Sequence, residues 1–175
     1  GIDRFNEAFY TSETLLKKEQ AFFGQTLSGL LQERPQALMS EPEVQSAIDA
    51  IEQGLSFKLR DFQREAVAAI LTNKNSLNIQ IAGAGFGKPT AAKVTKQLLE
   101  AQGLNIISCA PSNTAAMTLN HDLGLPVDQA RSVDKLLLDI ENEKVILNSS
   151  SVVMVDEAGM VGFDNYEKIM SLVQA

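Results

Sequence analysis

Apolar positions in the first 53 residues recur at the spacing of amphipathic helices. Arg34-Pro35 ends a first segment, and Ser40 with Glu43 three residues later is a typical start signal for another helix. Gly54 marks the end of that helix. The pattern therefore predicts a small helical subdomain over residues 1–54. Its apolar positions are Leu15, Leu16, Phe22, Phe23, Leu27, Leu30 and Leu31, followed by Val44, Ala47, Ile48 and Ile51.

From Phe57 onward, short apolar runs alternate with helical patterns, which indicates an α/β fold with a parallel sheet over residues 55–175. The predicted strands are 77–81, 105–109 and 151–155. The predicted helices are 60–72, 89–102, one through Met117 and Leu119, 133–140 and a short one near residue 175. The buried positions predicted for the first of these helices are Phe62, Ala66, Val67 and Ile70.

A glycine-rich loop follows the strand predicted at 77–81. Phosphate-binding loops read G-x-x-x-x-G-K-[ST]: backbone N–H groups cradle the phosphates, the lysine contacts their oxygens, and the hydroxyl holds Mg²⁺. Here Ala82 stands at the first glycine position and Pro89 replaces the Ser/Thr. The candidate phosphate-binding residues are Gly83, Gly85, Gly87 and Lys88.

Pro89 removes both the hydroxyl and the backbone N–H that a phosphate-binding loop uses at this position. Thr90 does not substitute, because it lies about 100° further round the helix. Proline is tolerated in the first turn of a helix, so the loop-to-helix backbone can survive. We therefore expect a strand-to-helix turn that is kept for packing rather than for nucleotide hydrolysis.

The charge of the chain is uneven. Its 175 residues carry a formal net charge of -7, which argues against a strongly basic nucleic-acid binder. Residues 54–100, however, carry a net charge of +4 between two acidic flanks. This basic segment includes Lys88, Lys93 and Lys96, and its charge is consistent with either solvated helix surfaces or a local phosphate footprint.

Other features of the composition narrow the setting. The single cysteine, Cys109, lies in an apolar run, so we expect it to be buried rather than reactive. No apolar stretch approaches the roughly 18 residues of a membrane span, and the amino terminus lacks the plan of a signal peptide. We expect a cytoplasmic location without membrane insertion. The chain begins without Met, which suggests a piece of a longer protein.

Asp156 and Glu157 follow the strand predicted at 151–155. An acidic pair at the carboxyl end of an apolar strand suits Mg²⁺ coordination and water activation in nucleotide hydrolysis. Because Pro89 has already removed the other protein ligand, we interpret this pair as vestigial, with neither a catalytic role nor a bound metal.

Four motifs occur in order along the chain. They are Gln63 before the glycine loop, Ala110-Pro111-Ser112-Asn113, then Ala130-Arg131-Ser132-Val133, and finally Val155-Asp156-Glu157-Ala158-Gly159-Met160-Val161. With these motifs the chain resembles the first RecA-like lobe of superfamily 1B DNA helicases of the RecD type. More closely, it resembles the helicase regions of conjugative relaxases of the TraI/TrwC type of F-like plasmids.

The resemblance implies roles for residues that match the family's motifs. Gln63 would contact adenine, and the basic segment adds Lys93 and Lys96 as candidate DNA contacts. The motif residues that would contact single-stranded DNA are Pro111, Ser112, Asn113 and Ser132. ATP and Mg²⁺ are cofactors of the parent family, but Pro89, Thr114 and Asp134 depart from its motifs. These departures imply a degenerate lobe without a cofactor of its own, of the kind associated with single-stranded DNA binding and export signals.

We therefore expect a non-catalytic helicase lobe that helps to hold single-stranded DNA during plasmid transfer, together with other domains of the same chain. The parent family nicks DNA and unwinds it with ATP. A helicase also needs a second lobe, and the chain ends soon after Glu157, so we do not expect hydrolysis from this segment.

Two alternatives stay open. One is a protein-interaction module recognised by the coupling protein and type IV secretion components, suggested by the acidic flanks and the helical amino-terminal region. The other is a lobe that still binds ATP, suggested by Lys88, Asp156 and Glu157.

Overall fold

The computed structural model describes residues 17, 20, 21, 36–54, 58–81 and 87–173. All the apolar positions predicted between Leu15 and Leu31 lie outside these residues. The helices are α1 (Glu41–Gln53), α2 (Asp61–Thr72), α3 (Lys88–Ala101), α4 (Asn113–Leu123), α5 (Val133–Glu141) and α6 (Phe163–Val173). The strands are β1 (Asn105–Ala110), β2 (Arg131–Ser132) and β3 (Ser151–Val155), with short 3-10 turns at Val127–Gln129 and Ala158–Met160.

The described strands form one parallel sheet with the order β2-β1-β3. β1 pairs with β3 from Asn105 opposite Ser151 to Cys109 opposite Val155. β2 pairs only with the last two residues of β1, and Ala110 lies opposite Ser132. The predicted α/β fold with a parallel sheet is therefore confirmed, as are the strands predicted at 105–109 and 151–155.

The strand predicted at 77–81 is wrong, because these residues are described without strand pairing. Their polar side chains bond to nearby backbone instead: Gln80 Nε2 donates to Ala66 O at 2.5 Å, and Asn78 Nδ2 donates to Asn75 O at 3.2 Å. Ile79 and Ile81 are exposed. Side-chain bonds of this kind compete with a sheet ladder, and an alternating pattern forms a strand only when a neighbour pairs with it.

Side chains of β1 and β3 alternate between two apolar layers, as the pleat of a strand requires. Ile106 packs in a cluster with α1, α2 and α3, whereas Cys109 packs in a cluster with α5 and α6. The sheet is thus covered by helices on both faces. The first cluster contains Val44, Ile48, Leu59, Val67, Ala68, Leu71, Ala91, Val94, Leu98 and Leu99, and the second contains Val133, Leu136, Leu137 and Ile169.

The buried face of α2 differs from the predicted one. Val67 is buried as expected, but Phe62 is exposed, and Ala66 and Ile70 are only half-buried. The buried positions are Gln63, Val67, Ala68 and Leu71. The prediction was wrong because α2 packs between α1 and α3, so the contact with Val44 and Ile48 sets its rotation rather than the sheet alone.

The predicted start of α1 is confirmed. The backbone N–H of Ser40 and its hydroxyl both donate to Glu43 Oε2, at 2.7 and 2.6 Å. These hydrogen bonds from Ser40 lower the pKa of the Glu43 carboxyl. Because Val44 and Ile48 of α1 lie in the same cluster as Val67 and Leu98, α1 packs directly on the elements that follow it.

Arg64 of α2 joins α2 to α1 through a set of polar contacts. Its Nη1 donates to Glu52 Oε2 at 3.0 Å and its Nη2 to Asp49 Oδ1 at 2.6 Å. Glu52 is 6% exposed and also accepts the backbone N–H of Leu59, whereas Asp49 is 62% exposed. The Glu52 carboxylate therefore accepts from two hydrogen-bond donors at the interface between α1 and α2.

We predict that Glu52→Ala lowers the free energy of unfolding by about 2 kcal/mol, because it leaves Arg64 Nη1 and the Leu59 N–H without their acceptor, although Asp49 and Gln45 still hold the rest of the guanidinium. Asp49→Ala is the matched control and should cost less than about 1 kcal/mol, since an exposed ion pair contributes little. Urea denaturation of both variants checks the difference. Equal losses would show that Glu52 has no special role.

Candidate functional site

Gly87 begins α3 and is held by Gln63 of α2. Gln63 Nε2 donates to Gly87 O at 3.0 Å, and Gln63 Oε1 accepts the backbone N–H of Arg60 at 2.9 Å. Gly87 has a φ of 67°, in the left-handed region, and a Cβ at this position would overlap Gln63 Nε2. The last glycine of the loop is therefore required both by its backbone conformation and by the close approach of Gln63.

Pro89 lies in the first turn of α3, as predicted. The backbone N–H groups of Thr90 and Ala91 donate to Gly87 O at 3.2 and 3.3 Å, so the turn closes around Pro89 without an N–H from it. The helix therefore keeps the start that a phosphate-binding loop needs, while the position of the metal-binding hydroxyl is apolar.

Lys88 is exposed at the start of α3 and makes no hydrogen bond or ion pair with any residue that the structure describes. Gly83 and Gly85, the other candidate phosphate-binding residues, lie outside the described residues. Gly87 and Lys88 are thus the part of the glycine loop whose geometry is known.

A cleft of about 1600 Å³ lies beside the start of α3. Its lining includes Gln63, Lys88, Pro89, Asp156 and Glu157, with apolar side chains from β3 and α6 making up much of the remainder. Gln63, Lys88 and the acidic pair after β3 thus line the same cleft.

Asp156 and Glu157 are exposed at the carboxyl end of β3. The Asp156 N–H donates to Cys109 O at 3.1 Å, and Asp156 Oδ1 accepts the N–H of Glu157 at 2.9 Å. Glu157 has a φ of 50°, in the left-handed region. One carboxylate oxygen of Asp156 is therefore committed to the turn that follows the strand.

The side chains here lack one oxygen ligand that a Mg²⁺ ion of nucleotide hydrolysis uses in a phosphate-binding loop. The side chain at position 89 has no oxygen atom that could bind a metal. Asp156 Oδ1 already accepts the backbone N–H of Glu157. In the described ranges there is no group of three His, Cys, Asp or Glu side chains that could hold a metal ion. Mg²⁺ in such sites needs oxygen ligands in near-octahedral geometry.

The residues assigned to DNA contact meet at the carboxyl edge of the sheet. Pro111, Ser112 and Asn113 follow β1, and Ser132 ends β2. Ser112 Oγ accepts the N–H of Ala115, and Ser132 Oγ accepts the N–H of Lys135, each at 3.2 Å. The parallel register thus places the amino termini of α4 and α5 at this edge, where backbone N–H groups favour anions.

Comparison with protein families decides what kind of domain this is. Residues 58–175 match the family model described as AAA domain. The chain belongs to this family. With its parallel sheet and helices, the AAA domain is a P-loop, helicase-like lobe of the RecA type. Neither the curated proteins nor the solved structures include a significant match to the chain.

The two lysines of α3 that were candidate DNA contacts differ in their surroundings. Lys93 is exposed, and its Cε lies near Gly124 at the end of α4. Lys96 is 9% exposed, and its Nζ donates to Glu100 Oε2 at 2.8 Å. Lys93 of the AAA domain is therefore accessible to a ligand, whereas Lys96 is committed to a partner on its own helix.

Sequence reasoning missed a polar cluster around Asp139, which is buried on α5. Lys135 Nζ donates to Asp139 Oδ1 at 2.7 Å, and Arg131 Nε donates to Asp139 Oδ2 at 3.0 Å. The hydrogen bond from Lys135, and then the one from Arg131, lower the pKa of Asp139 despite its burial. The i,i+4 spacing of Lys135 and Asp139 was the available signal.

Cys109 and Asp134 of the AAA domain both contribute to the packing of the fold. The predicted burial of Cys109 is confirmed, and this burial raises the pKa of its thiol to about 12. Asp134 accepts a hydrogen bond from Asn165 Nδ2 at 2.8 Å, which ties α5 to α6.

Within the described residues, no helix is both long enough and apolar enough to cross a membrane.

We predict that Gly87→Ala destabilises the AAA domain by about 1–2 kcal/mol from backbone strain alone, with an added loss because the Cβ displaces Gln63. Gly103→Ala is the matched control, since Gly103 has a φ of 80° but open space around its Cα. Thermal or urea denaturation should rank Gly87→Ala as the more costly change.

A double-mutant cycle with Gln63→Ala isolates the contact at Gly87. We expect Gly87→Ala to cost less in the Gln63→Ala background, and Gly103→Ala to cost the same in both backgrounds. Additive losses for Gly87 and Gln63 would contradict the contact as described.

Proposed function

We propose that this AAA domain is a non-catalytic helicase lobe of a conjugative relaxase of the TraI/TrwC type, and that it holds single-stranded DNA. The observation that carries the proposal is Pro89. It lies in the first turn of α3, where catalysis needs a metal-binding hydroxyl, while Gly87 and Gln63 keep the start of the helix in place. The described start of α3 is kept, and position 89 has no side-chain oxygen to offer a metal.

The surroundings of Gln63 also argue against nucleotide turnover. Both ends of its amide are engaged, with Arg60 N–H and with Gly87 O. Gln63 therefore serves as a structural link between α2 and α3, and the adenine contact implied by the resemblance would have to compete with these hydrogen bonds. Transfer of a phosphoryl group depends on a metal ion that neutralises the negative charge on the phosphate oxygens, and the loss of a metal ligand weakens that neutralisation.

Support for DNA binding comes from the carboxyl edge of the sheet. The capped amino termini of α4 and α5 present backbone N–H groups there, next to Ser112, Asn113 and Ser132. Lys88 and Lys93 are exposed cations of α3 and could extend the path of a strand, with Lys93 near the end of α4 rather than beside Ser112. Phosphate contacts of this kind position a strand without reading its sequence. Lys96 is not part of the proposed surface, because its ammonium is paired with Glu100.

The remaining parts of the proposal follow from the resemblance. The lobe would act in the cytoplasm, beside other domains of the same chain, and would bind neither ATP nor Mg²⁺ as a working cofactor. Recognition by a coupling protein or by type IV secretion components is the alternative role, and it stays a prediction.

We predict that the chain binds a labelled oligonucleotide weakly, and that the double variant Lys88→Ala/Lys93→Ala binds it more weakly still. Each phosphate contact that is lost should reduce the slope of log K against log salt by about 0.7 for a single strand. Fluorescence anisotropy across a salt series measures both quantities.

Lys168→Ala is the control for this experiment, since Lys168 is an exposed lysine of α6 outside the proposed surface. It should leave the slope unchanged. An unchanged slope in the double variant, or an equal loss in Lys168→Ala, would overturn the proposed DNA surface.

A further inference from the structure

A second pocket lies along the open edge of β1, at the opposite end of that strand from the candidate DNA surface. β2 pairs only with Cys109 and Ala110, so the part of β1 from 105 to 108 has no strand neighbour on that side among the described residues. The connection from α4 to β2 and the segment after α5 enclose a space there of about 280 Å³. We call this space the β1-edge pocket. Its polar lining residues are Asn105, Ser108, Asn120, Gln129, Arg131 and Lys144.

The β1-edge pocket has two cationic lining side chains, one of which, Arg131, is also paired with Asp139 behind the pocket wall. Arg131 and Lys144 contribute two cationic side chains, and no carboxylate is among the described residues that line it. Arg131 Nε is held by Asp139 at 3.0 Å and its Nη1 by Gln129 O at 2.9 Å, so the guanidinium is fixed in orientation. Arg131 Nη2 and Lys144 Nζ make no hydrogen bond within the described part of the chain and are available to an anion.

The inner wall of the pocket is polar and already ordered. Ser108 and Asn120 are 6% and 2% exposed, the Ser108 hydroxyl donates to Asn120 Oδ1, and Asn120 Nδ2 donates to Pro126 O at 2.7 Å. Lys144 is placed by its own backbone N–H, which donates to Asp139 O at 2.8 Å. A buried wall whose hydrogen bonds are satisfied lets the pocket persist without a ligand.

We propose that the β1-edge pocket binds a small phosphate monoester of the size of a nucleoside monophosphate. Two cations without a lining carboxylate suit a dianionic phosphate, and Arg131 presents the planar donors that recognise one. The volume lies at the lower end of ligand pockets, which favours a single small molecule over a polymer. A phosphodiester carries one charge per phosphate, so a DNA strand is a poorer match for this pair of cations.

The test is an NMR titration of the 175-residue chain with inorganic phosphate, adenosine monophosphate and adenosine at constant ionic strength. We expect both phosphate ligands, but not adenosine, to shift the amide signals of residues 105–108 and 144–146. Lys144→Ala should weaken binding roughly tenfold, Lys144→Arg should retain it, and Lys168→Ala should leave it unchanged.

Three results would overturn the proposal: shifts confined to Gly87 and Lys88, no change in affinity for Lys144→Ala, or equal shifts with adenosine. Binding of inorganic phosphate without the monophosphate would overturn the assignment of an ester. DNA binding by Lys88 and Lys93 is measured with separate variants, so loss of phosphate binding at the β1-edge pocket would leave that proposal standing.

Discussion

The parallel pairing of β1 with β3 is the constraint on which the candidate site depends. Because both strands run in the same direction in register, the turns that follow them emerge at one edge of the sheet. Asp156 is fixed to β1 by its hydrogen bond to Cys109 O, and Ser132 is placed opposite Ala110 by the short ladder with β2. The same pleat sends alternate side chains into two apolar layers, one under α1 to α3 and one under α5 and α6. A shift of one residue in this ladder would exchange the two layers and separate the acidic pair from the start of α3.

At the start of α3, the requirements of the fold and those of catalysis can be distinguished residue by residue. Gly87 is needed for its left-handed backbone and for the approach of Gln63, and both needs exist without a nucleotide. Pro89 satisfies the helix, since a first-turn residue donates no hydrogen bond within it, but it cannot supply oxygen to a metal. The start of α3 therefore keeps its backbone geometry without a side-chain oxygen at position 89. The match of residues 58–175 to the AAA domain family agrees with a P-loop type of fold around this helix start.

Local signals in the sequence predicted much of this structure. The helix start at Ser40 was predicted because Ser40 and Glu43 bond to each other over three residues, and Ser112 and Ser132 cap their helices over the same short distance along the chain. The absence of a strand at 77–81 was not predictable in this way, since pairing depends on a distant neighbour and Gln80 bonds to Ala66 instead. The face of α2 and the contact of Arg131 with Asp139 also depend on how elements pack together, whereas the pairs Lys96–Glu100 and Lys135–Asp139 have the i,i+4 spacing that a sequence shows. The family resemblance indicated Gln63 and the glycine-loop motif indicated Lys88 as candidate site residues, but only the packing of α2 against α3 shows that Gln63 holds Gly87.

The most direct test of a lobe without turnover is ATP hydrolysis by the 175-residue chain in the presence of Mg²⁺ and single-stranded DNA, with Lys88→Ala as the blank. The lysine of a phosphate-binding loop contacts the phosphates that react, so its removal abolishes turnover in a working site. If Pro89 marks a lobe without metal-dependent chemistry, phosphate release by the wild-type chain should equal that of Lys88→Ala at every Mg²⁺ concentration. Mg²⁺-dependent release that is present in the wild type and lost in Lys88→Ala would contradict the account.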